Sequence, residues 1–217
     1  MANCSGDEDI EKCITSDFHK KRPSKEDVLH KQCEPWKDYS CCTNGRTISS
    51  HQSINHYKFN LNHCPTQPMS NKCRKHFTQD LCFYECEPFV KPWIVKTNRS
   101  FAEERIYKVP ICASDCDQWW EDCKDDYTCT NNWARNFKWT NGSNVCPHES
   151  QCVPMRQIYT SAKEFCELVW DHSWKYSVDK HCMKIWFKAS EGNPNKETAK
   201  YYANLAANIL NKRNKNH

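Results

Sequence analysis

Apolar positions recur at helical spacing in four stretches of this chain and alternate with polar ones in a fifth. One helix is predicted from Ser70 to Glu87, with Ser70 as its cap and Pro88 as its stop. A second covers ASDCDQWWEDCKDD (113–126), where Ser114 or Asp115 can cap and Cys112, Cys116, Trp120 and Cys123 share a face. AKEFCELVWDHSW (162–174) reads as another. The last starts at NPN, with Asn193 as N-cap and Pro194 in the first helical position, and carries Tyr202, Leu205, Ala206 and Ile209 as its apolar stripe. HYKFNLN (56–62) alternates as a short strand does, with Tyr57, Phe59 and Leu61 on one face. The predicted class is α+β, a single loop-rich domain of several helices and short strands.

Within the first of these helices, QDLCFYEC (79–86) places one carboxylate among aromatic side chains. At about 100° per residue, Phe77, Asp80 and Tyr84 fall on one face, with Cys82 and Cys86 roughly opposite. If the cysteine face is fastened to the rest of the protein, Asp80 looks toward something else. A solvated side chain is the ordinary fate of an aspartate. Phe77 and Tyr84 beside it favour a partly enclosed site.

Composition turns this outline into a stapled one. The chain has 17 cysteines in 217 residues and no pair at C-x-x-C spacing, which favours a disulfide scaffold over a zinc ribbon or a dithiol redox site. Each bridge contributes roughly 2–4 kcal/mol, so a chain with a mean hydropathy of -0.95 can fold on a modest apolar core. Such bridges require an oxidising compartment. Cys4, alone in the polar leader, is expected to be the unpaired one. Sequons at Asn98 and Asn141, and a weaker one at Asn3, agree with a secretory route. No apolar run follows Met1, so the chain is expected to be a mature, trimmed or expressed form. Residues 1–12 are expected to be a polar leader, 13–210 the domain, and 211–217 a basic, frayed tail.

The net charge of +4 is mild and spread along the chain, which argues against a nucleic-acid partner. G-x-S-x-G, H-E-x-x-H, P-loop and dinucleotide motifs are all missing, so an enzyme is not expected. His51, His56 and His63 lack helical metal-ligand spacing, and no metal is expected. The nine tryptophans are more suggestive. WARNFKW (133–139) and WDHSWKY (170–176) alternate indoles with cations and hydroxyls, as a slot for a planar, partly anionic molecule requires.

Five segments carry a resemblance: HKQCEPWKDYSCC (30–42), YKFNLNHC (57–64), CRKHFTQDLCFYECEP (73–88), WWEDCKDDYTCTNNW (119–133) and IWFKASEGNPNKETAKYYA (185–203). Together they resemble the folate receptor family over roughly Cys13 to Ala203, with 16 of the 17 cysteines matched. The resemblance implies eight bridges: Cys13 to Cys41, Cys33 to Cys82, Cys42 to Cys86, Cys64 to Cys152, Cys73 to Cys123, Cys112 to Cys182, Cys116 to Cys166 and Cys129 to Cys146. It implies an open pocket in which Asp80 accepts hydrogen bonds from the amino-pyrimidine edge of a pterin. A carboxylate suits that edge, which presents two N–H donors side by side. By the same resemblance Tyr57, Phe59, Tyr84, Phe101, Trp133, Phe137, Trp139 and Trp170 line the slot, with Arg105 and Ser173 as polar contacts. Ile106, Asn136 and Trp174 join the expected ligand set, and Arg135 matches a lysine that holds the glutamate tail.

This chain departs from the family pattern at several of these positions. Ala102 replaces an arginine beside the ring, Phe101 a stacking tryptophan, and Trp174 a tyrosine. Ala134 and Asn136 replace a histidine and a glycine near the tail. Losing one guanidinium contact costs about 1.5–3 kcal/mol. The resemblance therefore implies a monomeric, secreted or cell-surface carrier that binds folate or reduced folate without a cofactor and with a loosened grip on the tail. Any membrane attachment would be through a removed lipid anchor. Acid release is a family property, and His172 is one candidate sensor. A protein-recognition receptor like the egg-surface sperm receptor, and a riboflavin carrier, are the alternatives.

Overall fold

The computed structural model describes residues 10–52, 59–99 and 102–215. Cys4, Tyr57 and Phe101 lie outside the described residues. Five α-helices are described: α1 (Asn44–Gln52), α2 (Asn71–Cys86), α3 (Ala113–Cys123), α4 (Ala162–Val169) and α5 (Asn195–Lys215). Eight short strands pair two by two. β1 (Ile94–Arg99) and β2 (Ala102–Ile106) are antiparallel, as are β4 (Tyr127–Thr128) with β7 (Val153–Pro154) and β5 (Lys138–Thr140) with β6 (Ser143–Val145). β3 (Val109–Cys112) and β8 (Trp174–Ser177) run parallel, with Val109 opposite Trp174. The molecule is the expected disulfide-rich α+β domain.

Local chemistry explains where the helices start and stop. The Ser70 hydroxyl accepts from the Cys73 N–H, and α2 ends two residues before Pro88. α3 begins two or three residues earlier than its polar cap candidates imply: Cys112 is the cap, and Ser114 and Asp115 lie inside the helix. Asp115 instead accepts from the backbone N–H of Ile185, which ties α3 to a distant loop. Asn193 accepts from the Asn195 N–H, as a cap ahead of Pro194 should, and α5 then runs to Lys215, so 211–215 are helical.

Two expectations need correction. The helix read over 162–174 stops at Val169, because Asp171 and His172 adopt φ of 54° and 59°, left-handed values that end α-helical hydrogen bonding. The chain then reverses into β8. The predicted strand over 56–62 is absent from its described part, 59–62. There the Asn60 side-chain Oδ1 accepts from the Asn62 N–H, while the Asn60 N–H donates to Asn144 Oδ1. Sequence reading also passed over α1 and the β5–β6 hairpin, whose tip is Asn141-Gly142. Both residues have positive φ, the backbone that a two-residue hairpin turn needs and that this dipeptide favours.

Among the described residues there are eight bridges, Cys13–Cys41, Cys33–Cys82, Cys42–Cys86, Cys64–Cys152, Cys73–Cys123, Cys112–Cys182, Cys116–Cys166 and Cys129–Cys146, the same pairs that the resemblance implies. Three of them hold α2: Cys82 and Cys86 to the N-terminal region, Cys73 to α3. Around these staples the core is aromatic, with Trp36, Phe77, Phe83, Trp119, Trp133, Phe165 and Trp174 all almost fully buried. Burying each contributes about 1.5–3 kcal/mol. Packing begins ahead of Cys13, since Ile10 is fully buried and Lys12 pairs with Glu104.

Candidate functional site

α2 delivers Asp80 to the interior. Three bridges fix its rotation, and Asp80 is 6% exposed in consequence. Its Oδ1 accepts from Trp174 Nε1 at 2.8 Å. Trp174 reaches it because the parallel pairing of β8 with β3 directs the indole inward, where it meets Phe83 at 4.8 Å between ring centroids. The Trp170 indole nitrogen is near enough to influence Asp80, yet it is buried without a hydrogen-bond partner of ordinary geometry. Burial pushes the Asp80 carboxyl up to about 7, against the opposing effect of the two indoles. A carboxylate so placed is short of donors, and an indole N–H beside it is short of an acceptor. Added polar partners are what such groups lack.

Aromatic rings gather next to this pair. Trp133 is stacked on Phe77 (4.7 Å, 11°) and on Phe59 (5.9 Å, 24°). Trp133 thus lies near-parallel to two phenyl rings and is almost fully buried. Phe59 also meets Phe137, Trp139 and Trp170 edgewise. Trp139 is 56% exposed at the rim. His63 packs its ring against Trp133 and Phe137, and burial lowers its pKa to about 4.

The remaining expected residues fall into two groups. Arg105 and Arg135 are brought together by Asp171: Arg105 Nη1 donates to its Oδ2 at 2.6 Å, Arg135 Nε to the same oxygen at 2.7 Å, and Asn132 to Oδ1 at 3.1 Å. Arg105 also donates to the backbone oxygens of Asp171 and Ile106, and Ile106 is itself buried in β2. Burial acts to raise the Asp171 carboxyl, but the bonds from Arg135, Arg105 and Asn132 hold it at about 2. Less engaged are Ser173, whose hydroxyl donates to the Trp170 carbonyl, and Asn136, exposed and donating to Asn131. Tyr84 is turned toward the N-terminal segment, where its ring meets His19 edgewise.

Asp171 and Asn132 were not singled out by sequence reasoning, although both lie in or beside the tryptophan-rich segments. Nothing in the sequence signals that Asp171 faces a guanidinium 66 positions away. His172 contributes backbone bonds to Glu167 and Lys108. Two recesses of the surface lie apart from Asp80: a groove of about 810 Å³ between Trp93 and α5, and one of about 390 Å³ beside His63 and Asn144. His51 approaches the sulfurs of Cys33 and Cys82, but these are joined to each other and offer no thiolate to a metal.

The site is thus a buried acid among indoles in a heavily stapled domain. The profile of the folate receptor family matches residues 12–184, and the chain belongs to that family. It is 42% identical to folate receptor gamma of Homo sapiens over 196 residues, covering 88% of this chain and 79% of that protein. Folate receptor alpha of Homo sapiens is 40% identical over 196 residues, covering 88% of this chain and 76% of that protein. Riboflavin-binding protein of Gallus gallus is 33% identical over 171 residues, covering 76% of this chain and 67% of that protein. These relatives are named as receptors and binding proteins, not as enzymes.

Proposed function

We propose that this protein is a secreted or cell-surface carrier that binds folate-type pterins reversibly, with Asp80 accepting from the ring's paired N–H groups. The carrying observation is Asp80 itself, a buried carboxylate with one hydrogen bond, from Trp174, and an unpartnered indole beside it. A 2-amino-4-oxo ring supplies donors to the acid, and its carbonyl and ring nitrogens supply acceptors to the indole. Membership of the family supports the ligand class, since the relatives of highest identity named here are folate receptors. Riboflavin-binding relatives match less of the chain at lower identity, which ranks a flavin below a pterin.

Trp170, Trp139 and Phe137 contribute ring surface around the heterocycle, and Tyr57 and Phe101 are assigned to the same slot through the resemblance alone. Arg105 and Arg135 stand at the polar end, and Ser173, Asn136, Ile106 and Tyr84 complete the proposed set. No bond chemistry is involved and no cofactor or metal is required. Eight bridges fit work outside the reducing cytosol, and no helix among the described residues is long and apolar enough to cross a membrane. Asn98 and Asn141, both exposed, are the proposed glycan acceptors. Titration of the purified protein with folic acid, followed by tryptophan fluorescence, tests the proposal. Saturable quenching is expected, and an unchanged signal up to high micromolar ligand overturns it.

A further inference from the structure

Asp171 places a negative charge directly against Arg135, the residue that the resemblance assigns to an anionic tail. Its Oδ2 takes one hydrogen bond from Arg105 and one from Arg135, and its Oδ1 takes a third from Asn132. Arg105 is 6% exposed and donates through Nε, Nη1 and Nη2 to oxygens of its own protein. Arg135 is the accessible member, with a side chain 62% exposed, yet its Nε is also committed. The arrangement is rigid at its centre. Asp171 and His172 hold consecutive positive φ values, and the backbone there is pinned by bonds from Asp171 N to Leu168 O and from Lys108 N to His172 O.

We infer that Asp171 is a selectivity-determining positioning residue: by engaging Arg105 and Arg135 together, it makes the slot favour pterins that lack an anionic tail. This inference rests on the pterin reading above. A tail carboxylate arriving at Arg135 must share one guanidinium with Asp171 or displace it, and either outcome sets like charges side by side or strips the buried Arg105 of its counter-ion. The heterocycle end, at Asp80, is not affected by this competition. Arg135 therefore contributes little to tail binding in the native protein, although its position in the chain suggests a clamp.

The test compares two probes: folic acid, which carries a glutamate, and 6-hydroxymethylpterin, which carries the same ring and no carboxylate. Asp171→Asn keeps the backbone, because asparagine tolerates positive φ. It is expected to tighten folic acid by about tenfold or more, the effect of one charge-assisted bond, and to leave 6-hydroxymethylpterin within about twofold. In the Asp171→Asn, Arg135→Gln double variant, the gain for folic acid is expected to disappear. A merely structural role would move both probes together, so an unchanged ratio of the two affinities overturns the inference. If loss of the Arg105 counter-ion prevents folding, the wild-type protein decides, titrated with folic acid and with the diamide in which both tail carboxylates are amidated. The diamide bound as tightly as folic acid or more tightly supports the inference, and folic acid bound about tenfold or more tightly than the diamide overturns it. Binding of neither probe by the wild-type protein would instead overturn the pterin reading, and with it the inference.

Discussion

The Trp174 indole donates to Asp80 Oδ1 across 2.8 Å, joining a strand and a helix whose residues lie 94 positions apart in the chain. This bond is the main protein compensation for the burial of that acid, and its value depends on whether the acid is charged. Trp174→Phe keeps the packing against Phe83 and removes the donor. It is expected to cost about 1–3 kcal/mol near pH 8, where Asp80 is ionised, and clearly less near pH 5, where it is protonated. Urea unfolding at the two pH values measures the difference.

Asp80 also sets a pH dependence. Its folded pKa is raised to about 7 by burial, above the ordinary unfolded value near 3.9. The native state therefore binds the proton more tightly, and the Asp80 contribution to stability is full below the unfolded value and is lost as pH rises toward 7. The span is about 4 kcal/mol. Asp80→Asn is expected to flatten that part of the stability profile. Ligand binding has the opposite sign, because paired N–H donors favour the carboxylate. Affinity for a pterin should fall by up to about tenfold for each pH unit below 7. Isothermal titration from pH 5 to 8 checks it, with Asp80 rather than His172 as the sensor.

His63 works against Asp80 in part of the same window. Its pKa is lowered to about 4 by burial, so stability from neutral His63 is present above about 6.5 and is lost as pH falls toward 4. His63→Gln is expected to remove this acid-side loss while weakening the edge contacts to Trp133 and Phe137. Because the Asp80 slope is then unopposed, thermal melts at about pH 5 and 7 should lie further apart in the variant than in the wild type, with the higher melt at pH 5.

Glu87 is a third buried acid, with a structural task. It accepts from the Trp36 indole, the Phe89 N–H and the side-chain amides of Asn193 and Asn195, and burial raises its pKa. Glu87→Ala leaves those donors buried without an acceptor and is expected to cost about 3–5 kcal/mol. Since two of them sit at the start of α5, limited proteolysis should release the C-terminal helix first.

Local signals in the sequence reached the parts of this molecule that local chemistry governs. Ser70 and Pro88 bracket α2 because a cap and a stop act within a few residues. The Asp80 face follows from helical geometry. The end of α4 was not legible, since the helix yields to two left-handed residues, Asp171 and His172, neither of them glycine. Nor was the Asp171 hub, which forms only when β2, α4 and the loop after β4 converge. The bridges were readable through family resemblance alone, because spacing does not determine pairing. The Asn141-Gly142 hairpin was present in the sequence as a two-residue turn signal and was overlooked.

Whether Asp80 holds the heterocycle is decided by folic acid affinity compared in the wild type, Asp80→Ala and Arg135→Ala at about pH 7.5. Asp80→Ala is expected to weaken binding by about a hundredfold or more, as loss of charge-assisted hydrogen bonds requires, and Arg135→Ala by no more than about twofold. Equal losses in the two variants, in protein shown to be folded, would contradict that role.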